Sequence, residues 1–418
     1  MTQSGRSFLQ VFIIVFFFVA GGLGIFLDCR TNNPLWIGEE QSASATGLLT
    51  SFPFVFDGRI NIPLKVNDSA PLDIILDTGF PQKALLLMHK ETGDELGLTY
   101  VRTVNVVRGA GSGENKAAHL TPGEHLTLPG VDLGRITTAV MDESRKMSIH
   151  HYQGVIGGAV FIPYVVEIDF DDSSINLYDP ELYEPKEGWE EIPLVFERNV
   201  PILETTVQIG AGDKIPVRLI VDTGGKPPLA LAVDAEKKLV PPARVVHFLA
   251  GTGFRGNVYA DHGRLSGLKI GTYLLNNVIS SFWRGDEAPA LKEINSDGPL
   301  GLGCLYRYNI IFDYAHKRMF IKPNRYFSDP FEMNMAGMVI KEIGSGIYVV
   351  YYVMDNSQAS KQGLKEGDVV EEVNGKDIHA FDYIELKKIF EQDGKTVNIK
   401  IRREGKSQKI KLRLKRII

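Results

Sequence analysis

Ile74-Ile75-Leu76-Asp77-Thr78-Gly79 runs three apolar residues into a carboxylate, a hydroxyl and a glycine, and Leu219-Ile220-Val221-Asp222-Thr223-Gly224 repeats the pattern. A short apolar run that ends at a small polar residue and glycine is a buried strand delivering an acidic side chain into a tight turn. The two aspartates stand 145 residues apart. Other landmarks recur at nearly the same interval. Gly154-Val155-Ile156-Gly157-Gly158 is answered by Gly298-Pro299-Leu300-Gly301-Leu302-Gly303, and residues 166–170 with 175–178 are answered by 310–314 with 318–321. A period this long marks a duplicated domain rather than a solenoid repeat of about twenty to fifty residues. Short β-type runs at 54–56, 60–66 and 72–76, punctuated by Asp-Gly, Asn-Asp and Pro, predict an antiparallel meander.

Two apolar strands that each end in Asp-Thr-Gly resemble the active-site loops of the pepsin/retropepsin-like aspartic proteases. The resemblance implies a mainly β chain with two duplicated lobes, 51–183 and 184–325, packed as a pseudo-dimer with Asp77 and Asp222 as catalytic residues at the shared axis. It further implies that Thr78 and Thr223 cross-bond between the halves, and that Gly79 and Gly224 let backbone N–H groups approach the inner carboxylate oxygens. Two carboxylates that close cannot both ionise, so they hold one proton between them. One then takes a proton from a bound water while the other donates to the scissile carbonyl oxygen. That chemistry calls for no covalent intermediate, cofactor or metal. The position after each motif holds Phe80 in one half and Gly225 in the other, where active enzymes of the resembling family carry Ser or Ala. Phe80 is expected to narrow the cleft or meet substrate.

About thirty residues past Asp77, Gly109-Ala110-Gly111-Ser112-Gly113 marks a flexible hairpin, and Gly251-Thr252-Gly253-Phe254-Arg255-Gly256 lies at nearly the same distance past Asp222. In the protease reading these are flaps, with Gly109, Gly111, Gly113, Gly251, Gly253 and Phe254 at their tips. The second also fits G-x-G-x-x-G, but a dinucleotide loop needs a helix opening at its third glycine, and residues 257–263 have no helical period.

Residues 326–336 read as a linker. Beyond it, residues 337–418 carry a Gly363-Leu364 turn, a Gly367-Asp368 turn and an apolar strand ending in Asn374-Gly375. This pattern resembles a bacterial-type PDZ domain, a small α+β unit. Such a domain adds an extended peptide to a sheet edge. Gly344, Ser345 and Gly346, leading into a strand from Ile347, stand at the expected peptide-binding position, and a helix over 381–390 at the other wall of the groove. The basic tail from Arg402 to Arg416 predicts a terminal strand with one charged face.

Residues 8–27 are apolar except for Gln10, long enough to cross a bilayer as a helix. With Arg6 before it, this segment (1–29) predicts an anchor that leaves the rest of the chain outside the cytoplasm, in a bacterial periplasm or envelope. A polar tether follows over 30–50. Cys29 lacks the small preceding residue of a lipoprotein site, and Cys304 is expected to be a buried apolar filler. With 46 basic against 51 acidic residues there is no electrostatic case for nucleic acid. His150-His151 reads as a surface loop rather than a metal site. The expected partners are a polypeptide substrate, a peptide ligand of the PDZ unit and the membrane. A competing reading is an envelope peptide-binding scaffold with a degenerate cleft.

Overall fold

A computed structural model describes residues 47–107, 113–114, 116–143, 152–253, 255–284, 289–343 and 346–418. The anchor segment, Cys29 and His150-His151 lie outside the described residues, as do Gly109, Gly111, Phe254, Gly344 and Ser345.

The chain is mainly β, and the duplication seen in the sequence is a duplication of sheet topology. In the first lobe, seven strands lie side by side in the order Ile60–Val66, Leu72–Leu76, Gly154–Ile156, Ala84–Leu87, Val131–Met141, Lys116–Leu120 and Arg102–Val107. In the second, the order is Val200–Gln208, Lys214–Asp222, Gly298–Gly301, Leu229–Ala232, Val278–Trp283, Gly256–Leu265 and Val245–Gly253. Each strand of one series has its counterpart in the other. Even the parallel pairings repeat: Gly154–Ile156 runs parallel to Leu72–Leu76, and Gly298–Gly301 to Lys214–Asp222. The runs 74–76 and 219–221 are apolar throughout because these strands are buried on both faces, and all six side chains have no exposed surface.

The lobes are joined by a six-stranded sheet to which both contribute. At its centre Val165–Asp169 pairs antiparallel with Tyr308–Asp313, in the register Val166↔Phe312 and Ile168↔Ile310. Because backbone hydrogen bonds and apolar side chains are both shared across this seam, neither lobe has a finished edge without the other.

The recurring glycines have a packing reason. A Cβ at Gly157 would overlap the carbonyl oxygens of Asp77 and Phe80, and one at Gly301 those of Pro227 and Gly225. The backbone therefore crosses directly beneath each Asp-Thr-Gly turn, and Asp77 N–H bonds Ile156 O at 2.9 Å.

The C-terminal unit is a sheet in the order Met338–Ile343, Ile347–Val353, Val369–Val373, Thr396–Arg403 and Lys406–Arg413, with the helix Tyr383–Phe390 against it. Asp382 and Glu385 close that helix's first turn with a capping box. The basic tail is an edge strand paired only with Thr396–Arg403. The stretch 326–336 is packed rather than free. Arg307 lies 3.8 Å from the Phe331 ring centroid and donates to the carbonyls of Tyr326 and Pro330, while Arg264 and Arg416 both pair with Glu332.

Gly157→Ala is expected to destabilise the lobes by about 1–3 kcal/mol or more, since the obstructing atoms are backbone and cannot rotate away. A urea midpoint equal to the parent's would contradict this account of the crossing.

Candidate active site

The turn Asp77-Thr78-Gly79 leaves the strand Leu72–Leu76, and Asp222-Thr223-Gly224 ends the strand Lys214–Asp222. The structure brings the two turns into contact through reciprocal hydrogen bonds. Thr78 Oγ1 donates to Val221 O at 2.6 Å and accepts from Thr223 N–H at 2.9 Å. Thr223 Oγ1 donates to Leu76 O at 2.9 Å and accepts from Thr78 N–H at 3.0 Å. Each hydroxyl thus uses its donor and one acceptor site on the opposite lobe, and both threonines are buried.

The carboxyl groups of Asp77 and Asp222 meet at this axis, and both side chains have no exposed surface. They lie close enough for each to shift the other's titration. Gly79 N–H donates to Asp77 Oδ1 at 2.7 Å. Gly224 N–H and Gly225 N–H donate to Asp222 Oδ1 at 2.9 and 3.0 Å. Neither Oδ2 receives a hydrogen bond from a group outside the pair within the standard distance. A Cβ on Gly224 would overlap the Asp77 carboxyl, so only glycine lets the loops close this far.

Burial pushes Asp77 up to about 7, against the opposing pull of the Gly79 N–H, its bond to Asp222, the Gly224 N–H and the charge of Arg59. Asp222 is raised well above the usual carboxylate range by burial, then by the Asp77 charge and their mutual hydrogen bond. The proton therefore resides with the pair across neutral pH and is biased towards Asp222.

Two buried cations near the turns were not among the residues picked from the sequence, and of these Arg59 acts on Asp77. Arg59 is 1% exposed, opens the strand Ile60–Val66, and lies 5.1 Å from the Tyr152 ring centroid. Lys226, four residues past Asp222, is buried and donates to Asp57 O at 2.8 Å. A cation abutting an apolar run was the available signal for both.

Phe80 is not in the cleft. It is fully buried in the first lobe among Ile75, Leu86, Met88, Tyr152 and Val155, where the turn's own geometry directs it. Gly225 contributes its N–H to Asp222. Cys304 is buried, and the absence of solvation pushes its thiol up to about 12. Gly251 and Gly253 fall in the strand Val245–Gly253, which forms a hairpin with Gly256–Leu265. Gly113 N–H donates to Arg255 O at 2.8 Å and Arg255 Nε donates back to Gly113 O at 2.6 Å, so the two hairpins touch at their tips.

The expected peptide-binding edge of the C-terminal unit needs correction. The strand Ile347–Val353 pairs with Met338–Ile343 on one side and meets Val369–Val373 on the other, so Ile347 does not stand on an open edge. Gly346 N–H already donates to Glu342 Oε1 at 2.6 Å. The sheet's outer strand on this side is Met338–Ile343.

Because folded Asp77 keeps a proton up to about 7 and Asp222 keeps its own to higher pH, while an unfolded aspartate releases it near 3.8, stability should fall as pH rises from about 3.8 through 7 and go on falling above it. In Asp222→Asn the amide N–H replaces the shared proton. Its melting temperature is expected to exceed the parent's at pH 7.5 and to depend less on pH from 4 upward. Equal pH slopes in thermal melts would sink this assignment.

Residues 331–414 match the PDZ domain family. A stretch of 87 residues is 41% identical to "Serine protease HtrA-like" of Staphylococcus haemolyticus (strain JCSC1435), covering 21% of this chain and 13% of that protein. The chain thus spans only a small part of the curated relative it matches. Among solved structures, an aspartic proteinase from Irpex lacteus aligns at 14% identity with a TM-score of 0.44, over 68% of this chain and 99% of that one. The C-terminal unit of the chain is a PDZ domain.

Proposed function

We propose that the two lobes form an aspartic-type endopeptidase that hydrolyses peptide bonds between Asp77 and Asp222. The observation that carries this reading is the meeting, at one axis, of two fully buried carboxyl groups, one from each copy of a duplicated lobe. The charge of Arg59 favours ionisation of Asp77, which leaves the proton with Asp222. Asp77 then serves as the base that takes a proton from the attacking water. Asp222 serves as the acid that donates to the scissile carbonyl oxygen. The carbonyl becomes a neutral gem-diol; Asp77 then passes its proton to the amide nitrogen as the C–N bond breaks, and one gem-diol hydroxyl returns a proton to Asp222, which leaves a carboxylic acid, an amine and the pair as it began. The flap hairpins that meet at Gly113 and Arg255 exclude solvent from this step. An extended polypeptide is the substrate class that two sheet-lined lobes and paired hairpins accommodate.

A peptide-binding scaffold without hydrolysis is the second reading. It is favoured by one feature: no serine or alanine follows either motif, so the hydroxyl that holds the outer carboxylate oxygen in the resembling enzymes is missing on both sides. The HtrA-like relative bears the word serine in its name, but an alignment over 13% of its length carries no catalytic type to this chain.

The purified chain is expected to cleave unfolded polypeptide near neutral pH and to lose activity as pH falls below about 7, where Asp77 takes up a proton and can no longer act as the base. Asp77→Asn and Asp222→Asn should each lower kcat by ~10²–10⁴-fold, the worth of a positioned acid or base. A statine-containing peptide should bind at least ~10²-fold more tightly than the matching substrate. Equal cleavage by parent and both Asn variants would end the aspartic reading, and equal binding of the two peptides would favour the scaffold.

A further inference from the structure

The PDZ domain touches the second flap near its tip. In that hairpin Gly253 and Gly256 are opposed, and Thr252 and Asn257 form the next pair down. Lys341, on the outer PDZ strand, donates from Nζ to Thr252 Oγ1 at 2.8 Å. Thr252 Oγ1 donates to Asn257 Oδ1 at 2.8 Å, and Asn257 Oδ1 also accepts from Tyr351 OH of the neighbouring PDZ strand at 3.0 Å. The circuit closes because Lys341 Nζ lies 3.7 Å from the Tyr351 ring centroid. Lys341 is 2% and Thr252 5% exposed, so the bond between them is made out of water, where breaking it leaves polar groups unsatisfied, while the Tyr351–Asn257 bond lies at the solvent-facing end of the circuit. Farther down the hairpin, the Tyr352 ring packs against Phe248 at 5.3 Å and Tyr259 at 6.1 Å.

The same domain also reaches the opposite lobe. Tyr383, first residue of the PDZ helix, packs edge-on against Phe56 at 5.7 Å, with Lys226 Nζ 5.3 Å from its ring centroid. The PDZ domain therefore spans from the first lobe to the second flap. That flap holds the first through the Arg255–Gly113 bonds.

We infer that the PDZ domain is a latch on the flaps. Lys341 and Tyr351 are positioning residues that hold the hairpin Val245–Gly253/Gly256–Leu265 down, and a polypeptide reaches Asp77 and Asp222 only when this contact breaks. The inference rests on the peptidase reading for its consequence, but not for its test. The burial that keeps Lys341 dry also pushes it down to about 7, with the nearby Arg59 charge adding to the effect. The latch is thus built on a group that gains solvation on release.

The test is hydrogen–deuterium exchange on the full chain, comparing the parent with Lys341→Met, which keeps the aliphatic stem, and Tyr351→Phe, which removes one hydroxyl. Amides of 248–258 should exchange at least fivefold faster in Lys341→Met and by a smaller factor in Tyr351→Phe, with 214–222 unchanged. Cleavage of an unfolded polypeptide should show a higher kcat/KM in Lys341→Met, a gain that general loosening would not give. Unchanged flap exchange in both variants overturns the latch, as does an equal rise across 214–222 or a fall in kcat/KM. Faster flap exchange with no hydrolysis by any form, parent included, supports the latch and discards the peptidase reading.

Discussion

The crossed hydrogen bonds of Thr78 and Thr223 are the interaction on which the rest of the molecule depends. Each hydroxyl needs a carbonyl and an N–H from the other lobe, and each is buried where an unmet polar group would cost ~1–3 kcal/mol. The four bonds therefore form together or not at all. The six-stranded sheet shared by the lobes sets their coarse placement, and the threonines fix the last ångström. Only with both in place can Gly224 sit against the Asp77 carboxyl. The duplicated topology thus leads to one composite centre rather than two.

That closeness governs the electrostatics. Two carboxyl groups taken from water each lose hydration, and the protein returns only a few N–H donors, directed at the inner oxygens. Charge on both would add repulsion at short range in a poorly polarisable setting. Keeping one proton relieves both costs at once. The lobes are similar but not identical. Asp222 receives two N–H bonds and Asp77 one, yet the Arg59 charge acts on Asp77, so divergence between the copies gives the two carboxyls different surroundings.

What could be read from the sequence was what local backbone geometry enforces. The Asp-Thr-Gly turns and the glycines of 154–158 and 298–303 were visible because no other residue fits where backbones cross, and their spacing exposed the repeat. The PDZ turns at Gly363, Gly367 and Gly375 were visible for a related reason: all three have positive φ. Phe80 was misplaced because the sequence shows that it follows a turn but not to which side the turn sends it. The PDZ edge was misassigned because Met338–Ile343 and Ile347–Val353 are both apolar strands in one hairpin. Which of them is outermost is decided by pairing with Val369–Val373, some twenty residues later. Lys226 and Lys341 acquire their partners, Asp57 and Thr252, from other units, which a local pattern can flag but not identify.

The packing of 326–336 bears on how the PDZ domain can act. A tether would let it search for ligands independently of the lobes. Here Arg307 is fastened to carbonyls of this stretch, Glu332 pairs with arginines of both the second lobe and the C-terminal tail, and Phe331 and Met333 are buried. The outer PDZ strand is buried from Met338 to Glu342 although no strand pairs with its outer edge among the described residues. The lobes therefore cover the surface on which a PDZ domain would add a peptide strand. Ligand binding on that edge and docking on the lobes compete for the same backbone, so an extended peptide bound there would have to weaken the contacts at Lys341 and Tyr351. Binding on the PDZ domain and access to the paired carboxyls are then two readouts of one equilibrium, linked reciprocally by whatever free energy separates the docked and undocked arrangements.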